Sequence, residues 1–276
     1  MSIRVSARTR VFAILGRPVS HSLSPVLYNA AFRAARLDAV YGALSPGPHA
    51  VAAVMRTLAG GNITIPYKGV AAAALDRATN RVTRTLACNN FWTEGKKLVG
   101  DNTDVIGFAL ALRGLLPDTA GTRVLLLGAG GGARAALFAL LEDGVDEVVI
   151  LARSRGRRAE LERVAGRRVR RIHVIASEKA VREQGFDLVV NATPLGLRPR
   201  DPLPIRFEKL AALRAVFDLV YRPGGTAWVN RAQALGLPAV DGQEMLLQQA
   251  AAAFHNWWQM DAPLTRMRAA MAVPRD

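Results

Sequence analysis

The sequence predicts an α/β protein in two parts, the second built on a doubly wound parallel sheet. Three observations carry this expectation. From residue 123 onward, apolar runs of strand length alternate with segments of helical spacing, the pattern of parallel strands joined by right-handed crossovers. Residues 124–135 read Val-Leu-Leu-Leu-Gly-Ala-Gly-Gly-Gly-Ala-Arg-Ala, an apolar run that breaks into glycines and then into a helix-forming stretch. That glycine turn lies near the middle of a 276-residue chain, so a segment of domain size precedes it.

The elements can be taken in order. Val11–Leu15 is a short apolar strand stopped by Gly16-Arg17-Pro18. Ser24-Pro25 begins a helix, with Ser24 as hydroxyl cap and proline in the first turn, and apolar spacing through Leu27, Ala31 and Phe32 carries it to about Ala35. Asn62–Ile65 is a second strand, ended by Pro66, and Val70–Leu75 is helical. Phe91–Thr93 and Lys97–Val99 form a hairpin across Glu94-Gly95-Lys96. Val105–Leu116 has helical spacing and connects the two parts.

After it come strand 123–127, helix 131–142, strand 147–151, helix 155–165, strand 171–175, helix 177–184 and strand 187–190. Further strands are expected near Ala215–Leu219 and Pro238–Val240, and Gln243–Gln259 is helical. The expected division is 1–104, with 243–276 returning to it as C-terminal helices, and 105–242.

Composition narrows the class. Half the residues are apolar and no stretch reaches the length of a membrane span, so a folded chain outside the membrane is expected. A basic N-terminus is followed by an apolar run too short for a signal peptide, and Cys88, the single cysteine, rules out an internal disulfide framework. A cytoplasmic protein is expected; its oligomeric state is not readable from the sequence and is taken as monomer or homodimer. The formal charge is +15, and only five of the 37 basic residues are lysines. The dense run Arg153–Arg171 contains no aromatic side chain to stack on bases, so solvated helix faces or a phosphate-bearing small ligand explain it better than nucleic acid. His21, His49, His173 and His255 are scattered, and no metal site is expected.

The chemistry-bearing segments are few. Gly128-Ala129-Gly130-Gly131-Gly132-Ala133 fits G-x-G-x-x-A between a strand and a helix, the context of a Rossmann-type dinucleotide turn. Its first glycine permits the tight turn, its second lets backbone approach a pyrophosphate, and its small third position lets helix pack on strand. About 20 residues on, where NAD-binding turns place an acid, this chain has Ala152-Arg153-Ser154-Arg155. Arginine and a hydroxyl would bind a 2′-phosphate, with Arg157 or Arg158 one turn later, so NADP is favoured. In the first part, Gly61-Asn62-Ile63-Thr64-Ile65-Pro66-Tyr67-Lys68 puts an amine just past a strand end, where open α/β sheets bind ligands. Taken alone, Asp101-Asn102-Thr103-Asp104 and His21-Ser22-Leu23-Ser24-Pro25 read as capping or loop arrangements.

Seven segments in register change that reading. HSLSP, N-x-T-x-P-x-K, NTD, G-A-G-G-x-A-R, N-A-T-P-x-G, D-x-x-Y-x-P and G-x-x-M-L-x-x-Q-A occur in one order from about residue 11 to residue 260, and together they resemble the shikimate dehydrogenase family. The resemblance implies NADPH-dependent, reversible reduction of 3-dehydroshikimate to shikimate in a cleft between the domains. It implies that Ser22 and Ser24, with Tyr221, hold the substrate carboxylate, and that Thr64, Asn89 and Gln249 bind ring hydroxyls. Lys68 and Asp104 would be the catalytic pair, and Asn191, Ala192, Thr193 and Gly242 would line the nicotinamide side. A lysine hydrogen-bonded to the ketone oxygen can supply the proton that hydride transfer requires.

The chain also departs from the family pattern. Leu86-Ala87-Cys88-Asn89-Asn90 stands where Gly-Ala-Val-Asn-Thr is usual, Gly69 replaces an acid, and Ala152-Arg153-Ser154 stands for Asn-Arg-Thr. Cys88 reads as a packed side chain rather than a nucleophile. A quinate/shikimate dehydrogenase, or a paralogue acting on a related hydroxylated ring acid, is the alternative. A non-catalytic regulator or a polyanion binder is a more distant one.

Overall fold

A computed structural model of the chain describes residues 5–152, 158–181, 184–207 and 210–272. The chain divides into two compact units, residues 1–103 with 247–276, and residues 104–246.

The first unit holds a six-stranded sheet of β1 (Arg10–Leu15), β2 (Ala39–Leu44), β3 (Gly60–Ile63), β4 (Arg77–Ala78), β5 (Asn90–Glu94) and β6 (Lys97–Asp101), in the order β2-β1-β3-β5-β6-β4. β5 runs antiparallel to β3 and β6, whereas the other pairings are parallel. The reversal has a local cause. β5 and β6 are a hairpin whose register pairs Glu94 with Lys97, and Gly95 takes φ +60° in the tight turn between them. Alternate residues of β1 serve opposite faces. Ala13 and Leu15 join Val51, Met55, Ile63, Phe91 and Leu98 in one core. Phe12 stacks instead on Phe32 and Trp257, with ring centroids 5.3 and 4.9 Å away.

Between the strands lie α1 (Ser24–Ala34), α2 (Val51–Thr57), α3 (Lys68–Ala73) and α4 (Asn80–Thr85). Several expectations shift here. Ser24 is not the cap of α1 but its first residue: Leu23 occupies the cap position and no side chain caps the helix. The strand expected at Asn62–Ile65 ends two residues earlier, because the chain turns at Thr64, whose carbonyl accepts from the Tyr67 N–H at 2.9 Å. The helix expected at Val70–Leu75 starts earlier, at Lys68. β2, β4, α2 and α4 were not anticipated.

The second unit opens with α5 (Asp104–Leu115) and continues as β7 (Arg123–Leu127), α6 (Gly131–Glu142), β8 (Glu147–Leu151), α7 (Arg158–Ala165), β9 (Ile172–Ile175), β10 (Leu188–Asn191), β11 (Ala215–Asp218), α8 (Ala227–Ala234) and β12 (Ala239–Val240). All pairings in the sheet are parallel, and its order is β12-β11-β10-β7-β8-β9. The two faces separate by residue parity. Val124, Leu126, Val148, Ile150, Leu188 and Val190 pack beneath α5, α6 and α7. Leu125, Leu127, Val149, Val189 and Val216 pack on the opposite side with Trp228 and Val229 of α8. Helices on both faces of a parallel sheet are the doubly wound arrangement. The helix expected at 177–184 is only a 3-10 turn, Glu178–Val181, because Val181 alone of that turn is buried.

α9 (Gln243–Trp258) starts in the second unit and ends in the first, where α10 (Leu264–Met271) follows and packs on α1. Among the described residues, no helix is long and apolar enough to cross a membrane.

Candidate active site

In the first unit, the reversal of β5 collects polar residues at one edge of the sheet. The register sets Asn62 opposite Asn90 and Asn90 opposite Asp101, so the start of β5 meets the carboxyl ends of β3 and β6. The segment Thr64–Lys68 leaves from that edge, and so does Asn102-Thr103. The end of β1 lies there too, with Leu15 opposite Ile63. Carboxyl ends of strands in open α/β sheets are where ligands bind.

Asn89, Thr103 and Gln249 form a buried cluster at this edge. The Asn89 side-chain oxygen accepts from the Thr103 backbone N–H at 2.7 Å and lies 3.2 Å from its hydroxyl. The Gln249 Oε1 lies 3.3 Å from both the Asn89 Nδ2 and the Thr103 hydroxyl. A second chain runs behind it. The Tyr41 hydroxyl donates to Asn62 Oδ1 at 2.7 Å, and Asn62 Nδ2 donates to the Asn89 carbonyl at 3.2 Å. Burial, and then the neighbouring Tyr28, push the Tyr41 phenol well above its ordinary range, against a hydrogen bond with the Ser24 side chain. Tyr41 therefore stays a neutral donor. Ser24 is buried beside it, and the Ser22 hydroxyl accepts from the Ser24 backbone N–H at 3.2 Å.

Thr64 is partly buried, and its backbone N–H donates to Leu15 while its carbonyl accepts from Tyr67. Lys68 is partly buried as the first residue of α3, and its carbonyl accepts from the Cys88 N–H at 2.9 Å. Asp104 is buried as the first residue of α5, directly after Thr103, and belongs to the second unit. Cys88 is fully buried, and burial raises its thiol to about 12, which fits a packing role.

Asp101 was expected only as part of a capping arrangement, and it is more than that. Its carboxylate accepts from Thr79 at 2.6 Å, from Arg81 at 3.0 and 2.6 Å, and from the Asn102 N–H at 2.7 Å. Burial alone would raise this carboxyl, but Arg81 and Thr79 outweigh it and hold it below its usual range.

In the second unit the strand order reverses between β7 and β10, and the turns that follow those strands face each other across this switch point. Gly128 has φ +107°, and a methyl group there would lie 3.0 Å from the Ala192 carbonyl oxygen. Ala129 is buried, and Gly130 precedes α6, which carries no side-chain cap and no acid in its first turn. Gly131 and Gly132 form that first turn, and Ala133 is buried against the sheet. Bare amides at a helix N-terminus, beside a turn whose Gly128 is closely approached by backbone, form a cradle for phosphate. That cradle fits a dinucleotide.

Asn191 ends β10 and fixes the facing turn. Its Oδ1 accepts from the Thr193 N–H at 3.0 Å and the Thr193 hydroxyl at 2.7 Å. Its Nδ2 donates to the Leu195 carbonyl at 3.0 Å and to Asp218 at 2.8 Å. Asp218, to which the sequence reading gave no role, also accepts from the Val220 N–H at 3.0 Å and the Thr226 hydroxyl at 2.8 Å. Burial raises its carboxyl to about 6 despite these bonds. Tyr221 sits partly buried in the turn this aspartate holds. Gly242 closes the group: its N–H donates to Val220 at 3.1 Å, and a methyl group there would fall 2.3 Å from the Leu219 carbonyl oxygen.

Arg153, Ser154 and Arg157 lie outside the described residues. All four histidines are exposed, and no group of three or more His, Cys, Asp or Glu able to hold a metal ion occurs among the described residues. Thr103, Asp218 and Asp101 all stand inside motifs the sequence displayed. Burial, which the sequence pattern does not reveal for a polar residue at a strand end or in a loop, is what distinguishes them.

A doubly wound parallel sheet in one unit, and an α/β unit with a polar strand edge in the other, define the class as a two-domain dehydrogenase. The family described as shikimate dehydrogenase substrate binding domain matches residues 14–91. A shikimate dehydrogenase (NADP(+)) of Rubrobacter xylanophilus is 39% identical over 277 residues, covering 98% of each chain, and one of Methanopyrus kandleri is 36% identical, also over 98% of each. Among solved structures, shikimate dehydrogenase from Aquifex aeolicus superposes with a TM-score of 0.87 at 29% identity, over 98% of this chain and 100% of that one. The Thermus thermophilus enzyme in complex with NADP(H) and shikimate gives 0.81 at 35% identity, over 95% and 98%. The chain belongs to the shikimate dehydrogenase family.

Proposed function

We propose that this protein is an NADP-dependent shikimate dehydrogenase that reversibly reduces 3-dehydroshikimate to shikimate. The observation that carries the reading is the buried Asn89–Thr103–Gln249 cluster at the strand edge from which Lys68 also emerges. Amides and hydroxyls there suit a polyhydroxylated ring, and a lysine at the same edge suits a ketone oxygen. In this reading Thr64, Asn89 and Gln249 bind the ring hydroxyls, and Ser22 and Ser24 hold the carboxylate with Tyr221.

Residues 1–104 with 243–276 serve the substrate and 105–242 serve NADP. The Gly128–Ala133 turn holds the pyrophosphate, Asn191–Thr193 and Gly242 border the nicotinamide, and Arg153, Ser154 and Arg157 take the 2′-phosphate. When bound, NADPH supplies the hydride for the carbonyl carbon. Lys68 donates the proton to the developing alkoxide and removes it in the reverse direction, while Asp104 orients the alcohol and holds the amine.

Initial rates on shikimate and on quinate, each with NADP+ and with NAD+, test the reading. The highest kcat/KM is expected for shikimate with NADP+. A higher value for quinate would move the chain to the quinate/shikimate alternative, and a higher value with NAD+ would remove the 2′-phosphate role from Arg153 and Ser154.

A further inference from the structure

Three consecutive residues at the start of β5 meet α9. Asn89 Nδ2 lies 3.3 Å from Gln249 Oε1, Asn90 Oδ1 accepts from Asn256 Nδ2 at 2.9 Å, and the Phe91 carbonyl accepts from the Trp257 indole N–H at 3.1 Å. Gln249 and Asn256 are seven residues apart, about two turns, so they share one face of the helix. Asn256 Nδ2 spends one hydrogen on Asn90 and the other on the Asp101 carboxylate at 3.2 Å. Both acceptors are themselves held: Asp101 by Arg81 and Thr79, and Asn90 by a bond from its Nδ2 to the Gly61 carbonyl at 3.2 Å.

We infer that Asn256, with Asn90 as its acceptor, is a positioning residue that sets where Gln249 sits against Asn89. The inference rests on Gln249 being a substrate contact. It also gives a consequence to one departure from the family pattern. A threonine at position 90 would be one bond shorter and would lack the carboxamide oxygen that Asn256 uses. This chain therefore fixes the substrate-facing stretch of α9 through a carboxamide pair, on a carboxylate that is already locked.

The test is steady-state kinetics on the full-length enzyme for Asn256→Ala, Asn256→Asp, Asn90→Thr and Gln249→Ala, with melting curves for each. Asn256→Ala is expected to raise the KM for shikimate about tenfold, the value of one hydrogen bond, while the KM for NADP+ stays within about twofold. Asn256→Asp, which turns a donor toward Asp101 into a like charge, is expected to raise it further. The combination of Asn90→Thr with Asn256→Ala should be no worse for the shikimate KM than Asn256→Ala alone, since both remove the same bond. The inference is overturned if Gln249→Ala raises the shikimate KM and folded Asn256→Ala does not, or if Asn256→Ala raises both KM values together. If Gln249→Ala itself leaves the shikimate KM unchanged, Gln249 is no substrate contact, and the inference falls with that reading.

Discussion

At their strand edges the two units present hydrogen-bonding groups in opposite ways. In the second unit the residues around the switch point act mainly through backbone. Gly128 and Gly242 leave no room for a methyl group, α6 begins with uncapped amides, and Asn191 and Asp218 spend their side chains on neighbouring main chain and on each other. In the first unit the work falls to side chains, with Asn62, Asn89, Thr103 and Gln249 buried among one another. A phosphate chain can be recognised by amides that any residue supplies, provided the approach is close. A ring with hydroxyls needs donors and acceptors at fixed points, which only side chains can bring. Substitutions should therefore separate the units: added bulk harms the second, and lost functional groups harm the first.

The sharpest separation is expected at Lys68. Lys68→Ala should lower kcat roughly a thousandfold, the usual worth of a positioned general acid, while NADP+ affinity measured by fluorescence titration stays near normal. Near-normal turnover would remove Lys68 from the proton transfer. Gly242→Ala should do the reverse. With its new methyl group 2.3 Å from a carbonyl oxygen, it should raise the KM for NADP+ and cost about 2 kcal/mol or more of stability in urea unfolding. If it weakened shikimate binding alone, the division of labour between the units would fail.

Asp218 offers a pH test of the backbone-holding unit. Its carboxyl is raised to about 6 from 3.8, so the folded chain binds its proton more tightly than the unfolded chain does. Stability relative to Asp218→Asn is therefore greatest below about pH 4 and declines as pH rises through about 6, by roughly 3 kcal/mol in all. Urea unfolding of both proteins from pH 4 to 7.5 would show this, and a difference that stayed flat or rose with pH would contradict it. The smallest effect is expected at Cys88. With the thiol buried and raised to about 12, iodoacetamide at pH 7.5 should leave native activity unchanged, and alkylation should appear only on unfolding.

The second unit was also the more legible in sequence, for the same reason that its sheet is doubly wound. A strand covered on both faces must be apolar throughout, so Val124–Leu127 and Val148–Leu151 announce themselves as unbroken runs. β2, with three exposed residues in six, and β4, only two residues long, carry no such signal. The segment 177–184 misled because its residues favour helix while only Val181 of the turn finds a core to pack against. At the strand edge, the motifs point to Thr64 and Lys68, and the family resemblance points to Asn89. The side chains that meet Asn89 are distant in sequence: Asn62 is 27 residues away and Gln249 is 160. No local pattern connects such pairs.

The first unit is made of two separated stretches, 1–103 and 247–276, whereas the second is one unbroken segment. During synthesis, residues 104–246 are all available before Gln249, Asn256 and Trp257 leave the ribosome. Residues 104–246 can thus finish folding before the stretch made ahead of them, in which Asn89 and Phe91 wait for partners that arrive only with the final part of the chain. A stop codon shortly after residue 246 would then spare residues 104–246 and leave the earlier-made stretch without the Gln249, Asn256 and Trp257 contacts at its sheet edge.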